Sequence, residues 1–163
     1  MRDLTPSSTT SNSTMKKKER PMNRTNELTI SKMIPASVET TFEAWLDPVA
    51  LAKFIKPMDG MADCNVEVDA REGGSFLIVM KAGDKEMPHR GEYKTIQRFE
   101  KLVFTWISDH TGPDSVVTLT FKECGPNETE LTLHHDGLPS EESRNNHEGG
   151  WNGIMEQLTE FVG

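Results

Sequence analysis

Residues 138–163 constrain the fold more than any other stretch of this chain. Ser140 can cap the free amides of a helix start, Glu141 and Glu142 place negative charge in the positive first turn, and Pro139 blocks earlier helical bonding. From His147 onward Trp151, Ile154, Leu158 and Phe161 follow at steps of four, three, four and three, with Asn152, Glu156 and Glu160 opposite. That is the spacing of an amphipathic helix. Nearly everything between residues 60 and 136 reads as strand, so the helix has one job, which is to lie with its apolar stripe across a curved antiparallel sheet.

The rest of the chain supplies that sheet. Glu27–Ile34 alternates apolar and polar residues as a half-buried strand does, and Pro35 ends it. Ser37 caps a short helix through Val38, Phe42, Trp45 and Leu46; Asp47-Pro48 stops it and starts a second through Leu51, Phe54 and Ile55. From Met61 the period becomes two, with Cys64, Val66 and Val68 on one side. Gly73-Gly74 turns the chain into Ser75–Lys81, whose Phe-Leu-Ile-Val-Met run suggests cover on both faces for part of its length. Strands over 90–98, 102–107, 116–124 and 129–135 complete a seven-stranded antiparallel sheet in an α+β order.

Composition narrows the function classes. The formal charge of −8 is uneven: residues 1–25 carry six basic residues, Lys16, Lys17 and Lys18 among them, against Asp3 and Glu19. Residues 26–163 therefore hold 12 basic and 24 acidic residues. Such a body repels phosphate backbones and anionic lipid at long range, so the expectation is no nucleic-acid and no membrane partner. Residues 1–25, rich in Ser, Thr, Asn and Lys, are expected to form a disordered tail, with one domain over 26–163. No run of 18 apolar residues occurs and the N-terminus has no apolar signal core, which points to a cytoplasmic protein. Cys64 and Cys124, with no CxxC spacing, read as reduced and structural.

Five local patterns, taken in order, resemble one family: Asp69-Ala-Arg-Glu-Gly-Gly-Ser-Phe76, Gly91-Glu-Tyr-Lys-Thr-Ile96, Leu102-Val-Phe-Thr-Trp106, His135-Asp-Gly-Leu-Pro139 and His147-Glu-Gly-Gly-Trp151. They are similar to the activator-of-Hsp90-ATPase-homologue family of the START-like, helix-grip superfamily. The resemblance covers residues 27–162. It implies a hydrophobic cavity between sheet and long helix, which related proteins use for lipids, polyketides or other apolar molecules. Relatives often carry a Trp-Trp pair where this chain has Phe54-Ile55, which implies a different lining at the cavity mouth.

The candidate ligand-binding residues are Phe76, Ile78, Met80, Tyr93 and Trp106 from inward strand positions and His147, Trp151, Ile154 and Met155 from the helix. His147 either anchors a polar ligand group or bonds a strand carbonyl as a core histidine; Tyr93 is either a satisfied core residue or a polar contact. His134 and His135 point to opposite faces of their strand, and His89 and His110 fall in or near loops, so no pair has metal-ligand spacing. No metal site and no cofactor are expected. Gly149, Gly150 and Gly153 leave room for a ligand or a close approach, or let the helix bend. No Gly-x-Ser-x-Gly turn or phosphate loop is present. The expected function is binding of a small hydrophobic or aromatic molecule. The alternatives are a protein-interaction module of stress or chaperone type and a cyclase- or hydrolase-like enzyme using His147, Tyr93 or Glu92.

Overall fold

The first strand of the sheet, β1 (Leu28–Ile34), buries Leu28 and Ile34 and leaves the alternate residues wet. It belongs to a computed structural model that describes residues 26–58 and 60–163; the expected tail over 1–25 lies outside the described residues. Two short helices follow, α1 (Val38–Ala44) and α2 (Pro48–Phe54). Ser37 Oγ accepts the Thr40 amide and Asp47 Oδ1 the Val49 amide, so each start is capped where the residue types require. The strands are then β2 (Asn65–Val68), β3 (Ser75–Ala82), β4 (Lys85–Gln97), β5 (Lys101–Thr105), β6 (Val116–Gly125) and β7 (Glu128–Asp136), and α3 (Glu141–Val162) ends the chain.

The seven strands form one antiparallel sheet in the order β1-β7-β6-β5-β4-β3-β2. Only β1 is out of sequence, joined to β7 at the far edge. Register shifts at Tyr93/Thr95 in β4 and at Glu123/Gly125 in β6 insert a residue into one strand, which bends it and curves the sheet around the helix. The helix-grip architecture expected from the sequence is the one observed.

Several details differ from the sequence reading. β2 is shorter than the 61–69 segment, because residues 61–64 run beside α2, where the Cys64 amide bonds the Ala52 carbonyl. β3 alternates buried and half-buried residues instead of being covered on both faces. β4 begins five residues before the expected Arg90 and runs straight through Pro88. Arg90 exchanges both backbone bonds with Ile107, so the backbone of Pro88, two residues back, faces the same side at a level β5 does not reach. A proline there removes no ladder bond. Phe161, expected on the buried stripe, is 45% exposed at the helix end. Cys64 is buried and donates to the Ile55 carbonyl at 3.0 Å, and burial pushes its thiol up to about 11; Cys124 is exposed, not structural.

The core is one cluster between sheet, α1–α2 and α3. Phe42 meets Phe121 and Phe99, Trp45 meets Phe54 edge-on, and Trp151 lies against Trp106 with ring centres 4.9 Å apart. One glycine of α3 fixes how the layers meet. A Cβ on Gly153 would strike the Pro57 carbonyl, so only glycine lets the loop after α2 sit directly on the middle of α3. The close approach anticipated for these glycines is thus to that loop and not to the sheet.

Candidate ligand cavity

Because Pro57 closes the middle of α3, the space between helix and sheet opens beside its N-terminal half. A cavity of about 800 Å3 lies there. Its apolar wall is Met80 of β3, Met87 of β4, Trp106 just after β5, and Trp151 and Ile154 of α3. Polar groups come from His89, from Asp109, His110 and Thr111 of the β5–β6 loop, and from Ser140, Glu142, Ser143, Asn146 and His147 at the start of α3.

Of the candidates named from sequence, Met80, Trp106, His147, Trp151 and Ile154 are brought together on this wall. Phe76, Ile78 and Tyr93 are not. They surround a separate inner void of about 10 Å3 with Trp45, Leu51, Ile55, Phe104 and Trp106. Met155 is fully buried and lines neither space. Ile55, expected at the cavity mouth, lies at this inner void, and Phe54 is 0% exposed in the core beside it.

His89 is the main residue the sequence reading placed wrongly. It is a buried strand residue whose ring stacks on Trp106 at 4.8 Å, not a loop residue. The signal was available: counting back by twos from inward Tyr93 gives Gly91, His89 and Met87, all facing the core side, once Pro88 is allowed in the strand.

The imidazoles are held neutral, each in a defined tautomer. Burial pushes His89 down to about 4, against the opposing effect of its bond to the Met87 carbonyl. That carbonyl can only accept, so Nδ1–H of His89 donates to it at 3.0 Å. Burial likewise lowers His147, whose Nδ1–H donates to the Ser143 carbonyl at 2.8 Å, within its own helix and not to a strand as expected. The His147 Nε2 is left as an acceptor with no partner among the described residues. Ser143 Oγ donates to the His110 carbonyl at 2.7 Å and ties the rim loop to the helix.

Behind the wall lies a pair that resembles catalytic machinery. Ser115 Oγ and His135 Nε2 are 2.6 Å apart, both residues 0% exposed. Trp151 Nε1–H, a donor only, bonds His135 Nδ1 at 2.9 Å. Nδ1 is therefore the acceptor and the ring proton sits on Nε2, which donates to Ser115; an imidazole in that tautomer cannot take the serine proton. Burial, first of all, then the nearby His147 and His134, push His135 down to about 3. The pair is a packing device that orients Trp151. Among the described residues no three His, Cys, Asp or Glu side chains come together to hold a metal ion.

A match over residues 35–163 to the family model described as Activator of Hsp90 ATPase homolog 1-like protein decides the relationship. The chain belongs to that family. Among solved structures, a Chromobacterium violaceum protein is similar at 26% identity over 85% of this chain and 97% of its own, with a TM-score of 0.73. The AHSA1-like protein from Aeromonas hydrophila follows the same fold at 23% identity, covering 83% and 92% of the two chains with a TM-score of 0.67. An HSP90 activator from Plasmodium falciparum does so too, at 23% identity, 81% and 92% coverage and a TM-score of 0.65. A comparison with curated protein sequences finds no match. Membership and fold together support a ligand-binding or Hsp90-associated role. Among the described residues no helix is long and apolar enough to cross a membrane.

Proposed function

We propose that the protein binds a small apolar, aromatic molecule in the cavity beside the N-terminal half of α3. The single observation that carries this reading is the cavity itself: about 800 Å3 of open space walled by Trp106, Trp151, Met80, Met87 and Ile154. Ligand sites commonly fall between roughly 300 and 1,000 Å3, mostly apolar with a few placed polar groups. Those groups include the neutral imidazoles of His89 and His147 and the hydroxyls of Thr111, Ser140 and Ser143, suited to orienting a ligand by hydrogen bonds.

Gly150→Leu tests the reading. Gly150 lines the cavity, and a Cβ there meets only the Pro57 ring at 3.7 Å, an ordinary contact. The leucine side chain has the cavity to grow into, and losing a helical glycine favours the fold by up to about 1 kcal/mol. The variant should therefore lose binding of an environment-sensitive apolar dye while its urea midpoint holds or rises. Dye binding unchanged by the leucine would place the dye elsewhere and remove support for this cavity. Met155→Trp is no substitute, since Met155 is core and its enlargement reports only overpacking.

Charge at the rim sets the class. Among the described residues, Asp109 and Glu142 are the charged ones that line the cavity, and no Lys or Arg lines it. The first turn of α3 is already occupied, with Ser140 Oγ accepting the Ser143 amide and Glu141 and Glu142 supplying the negative charge. Naphthylethylamine should thus bind more tightly than naphthylacetate, by about threefold to tenfold at low salt and less as salt rises. Equal or tighter binding of the carboxylate would refute the assignment.

A second reading, an interaction partner of an Hsp90-type chaperone, draws on the family's description. It takes first place if no apolar probe binds and an Hsp90 ATPase is stimulated by the purified protein.

A further inference from the structure

Trp106 lines both spaces, the open cavity and the inner void, and no other residue among those described is common to the two walls. The void, about 10 Å3, holds about one water-sized group. Trp45 lines it, is 3% exposed, and its Nε1 is the one buried side-chain nitrogen or oxygen among the described residues without a hydrogen-bond partner. Buried N–H groups are almost always paired, as the corresponding group of Trp151 is with His135. A water would be held poorly, because a buried water needs about two to four polar partners. Beside Trp45 the described wall offers the Tyr93 hydroxyl as its one side-chain acceptor, since the indole N–H of Trp106 can only donate.

We propose that the inner void is the deep end of the ligand site, that the Trp106 indole is the partition between it and the open cavity, and that the ligand carries a neutral hydrogen-bond acceptor, an aryl ketone or ether oxygen, which takes the Trp45 N–H. Trp106 is placed for this role. It follows the last residue of β5, with His89 stacked on it at 4.8 Å, Trp151 at 4.9 Å and Phe76 on the void side at 6.1 Å. In this assignment the Trp106 indole, at a strand end, is the group that turns aside to join the two spaces. The assignment rests on the cavity reading above and narrows it: the aromatic body occupies the outer space against Trp151 and Met87, and the acceptor leads inward.

Acetylnaphthalene and ethylnaphthalene share a shape and differ in that acceptor, and calorimetric titration of both into the full chain separates the possibilities. The ketone should bind about tenfold more tightly, the value of roughly one buried neutral hydrogen bond. In Trp45→Phe the ketone should fall to the affinity of the hydrocarbon, whose own binding stays within about twofold. In the unaltered protein the Trp45 indole N–H resonance should move downfield with the ketone and not with the hydrocarbon, a readout that stands even if Trp45→Phe fails to fold. A ketone with no advantage, an advantage that survives Trp45→Phe, or an unmoved Trp45 resonance overturns the deep-end assignment while hydrocarbon binding preserves the cavity reading. If neither compound binds, both fall.

Discussion

Replacing Trp151 with alanine should cost roughly 4 to 6 kcal/mol, the loss of a fully buried large ring plus the loss of a buried hydrogen bond. Trp151 is 2% exposed and joins three layers: its ring meets Trp106 of the sheet and Trp45 of the α1–α2 layer, and its N–H reaches His135 at 2.9 Å. Removing it also leaves His135 Nδ1 buried without a donor. Small domains are commonly stable by only about 5 to 15 kcal/mol, so the alanine variant should sit near its unfolding threshold. Trp151→Phe keeps most of the apolar surface and should lose only about 1 to 3 kcal/mol, chiefly the unmade bond. Urea unfolding of the two variants gives the comparison; an alanine cost below about 2 kcal/mol would mean that this ring does not anchor α3 to the sheet.

The parts of the fold that could be read from sequence are those where a local signal and a tertiary need coincide. Ser140 before two glutamates and a four-three stripe yields α3 with its N-cap as expected, because capping and amphipathicity act within one helix. Phe161 obeys the same spacing and is half exposed, because the stripe cannot say where the opposing sheet ends. Pro88 hid the first half of β4 and with it His89, since a proline breaks a strand only when its missing N–H faces a neighbour, and neighbours are a property of the sheet order. The position of the cavity was hidden for a similar reason. The inward-facing positions were identified, but nothing local to them told which half of the concave face stays open; that is decided by Pro57 settling on Gly153, a contact between residues nearly a hundred positions apart. Phe76, Ile78 and Tyr93 thus ended against Trp45, Leu51 and Ile55, while Met80, Trp106 and Trp151 stayed on open space. The Trp151–His135–Ser115 chain was out of reach as well, because hydrogen-bond direction needs the partners' geometry and not only their spacing.

Acid should unfold this protein sooner than its carboxylates would suggest. His89 and His135 are buried, held down to about 4 and about 3, whereas in the unfolded chain both return to about 6.5. Their folded pKa values are depressed, so below 6.5 the unfolded state binds more protons than the folded one and stability falls as pH falls. Each contributes up to about 1.4 kcal/mol per pH unit, and His147, shifted in the same direction, adds to them. The expected slope between pH 6 and 4.5 is therefore roughly 2 to 3 kcal/mol per unit. The opposing effect is relief of self-repulsion in the acidic body, but carboxylates ordinarily titrate near 4, so in this window the histidines dominate. Asp63, drawn down to about 2 by its bonds to Lys53 and Lys56, loses its contribution only further into acid. His135→Asn isolates the cause: the amide oxygen can still accept the Trp151 N–H, yet nothing at that position titrates. Urea melts from pH 7.5 to 4.5 should show a slope shallower by about 1.4 kcal/mol per unit in the variant. A wild-type curve that stays flat across the window would mean that these imidazoles are not buried and neutral, and the hydrogen-bond assignments built on their tautomers would fall with it.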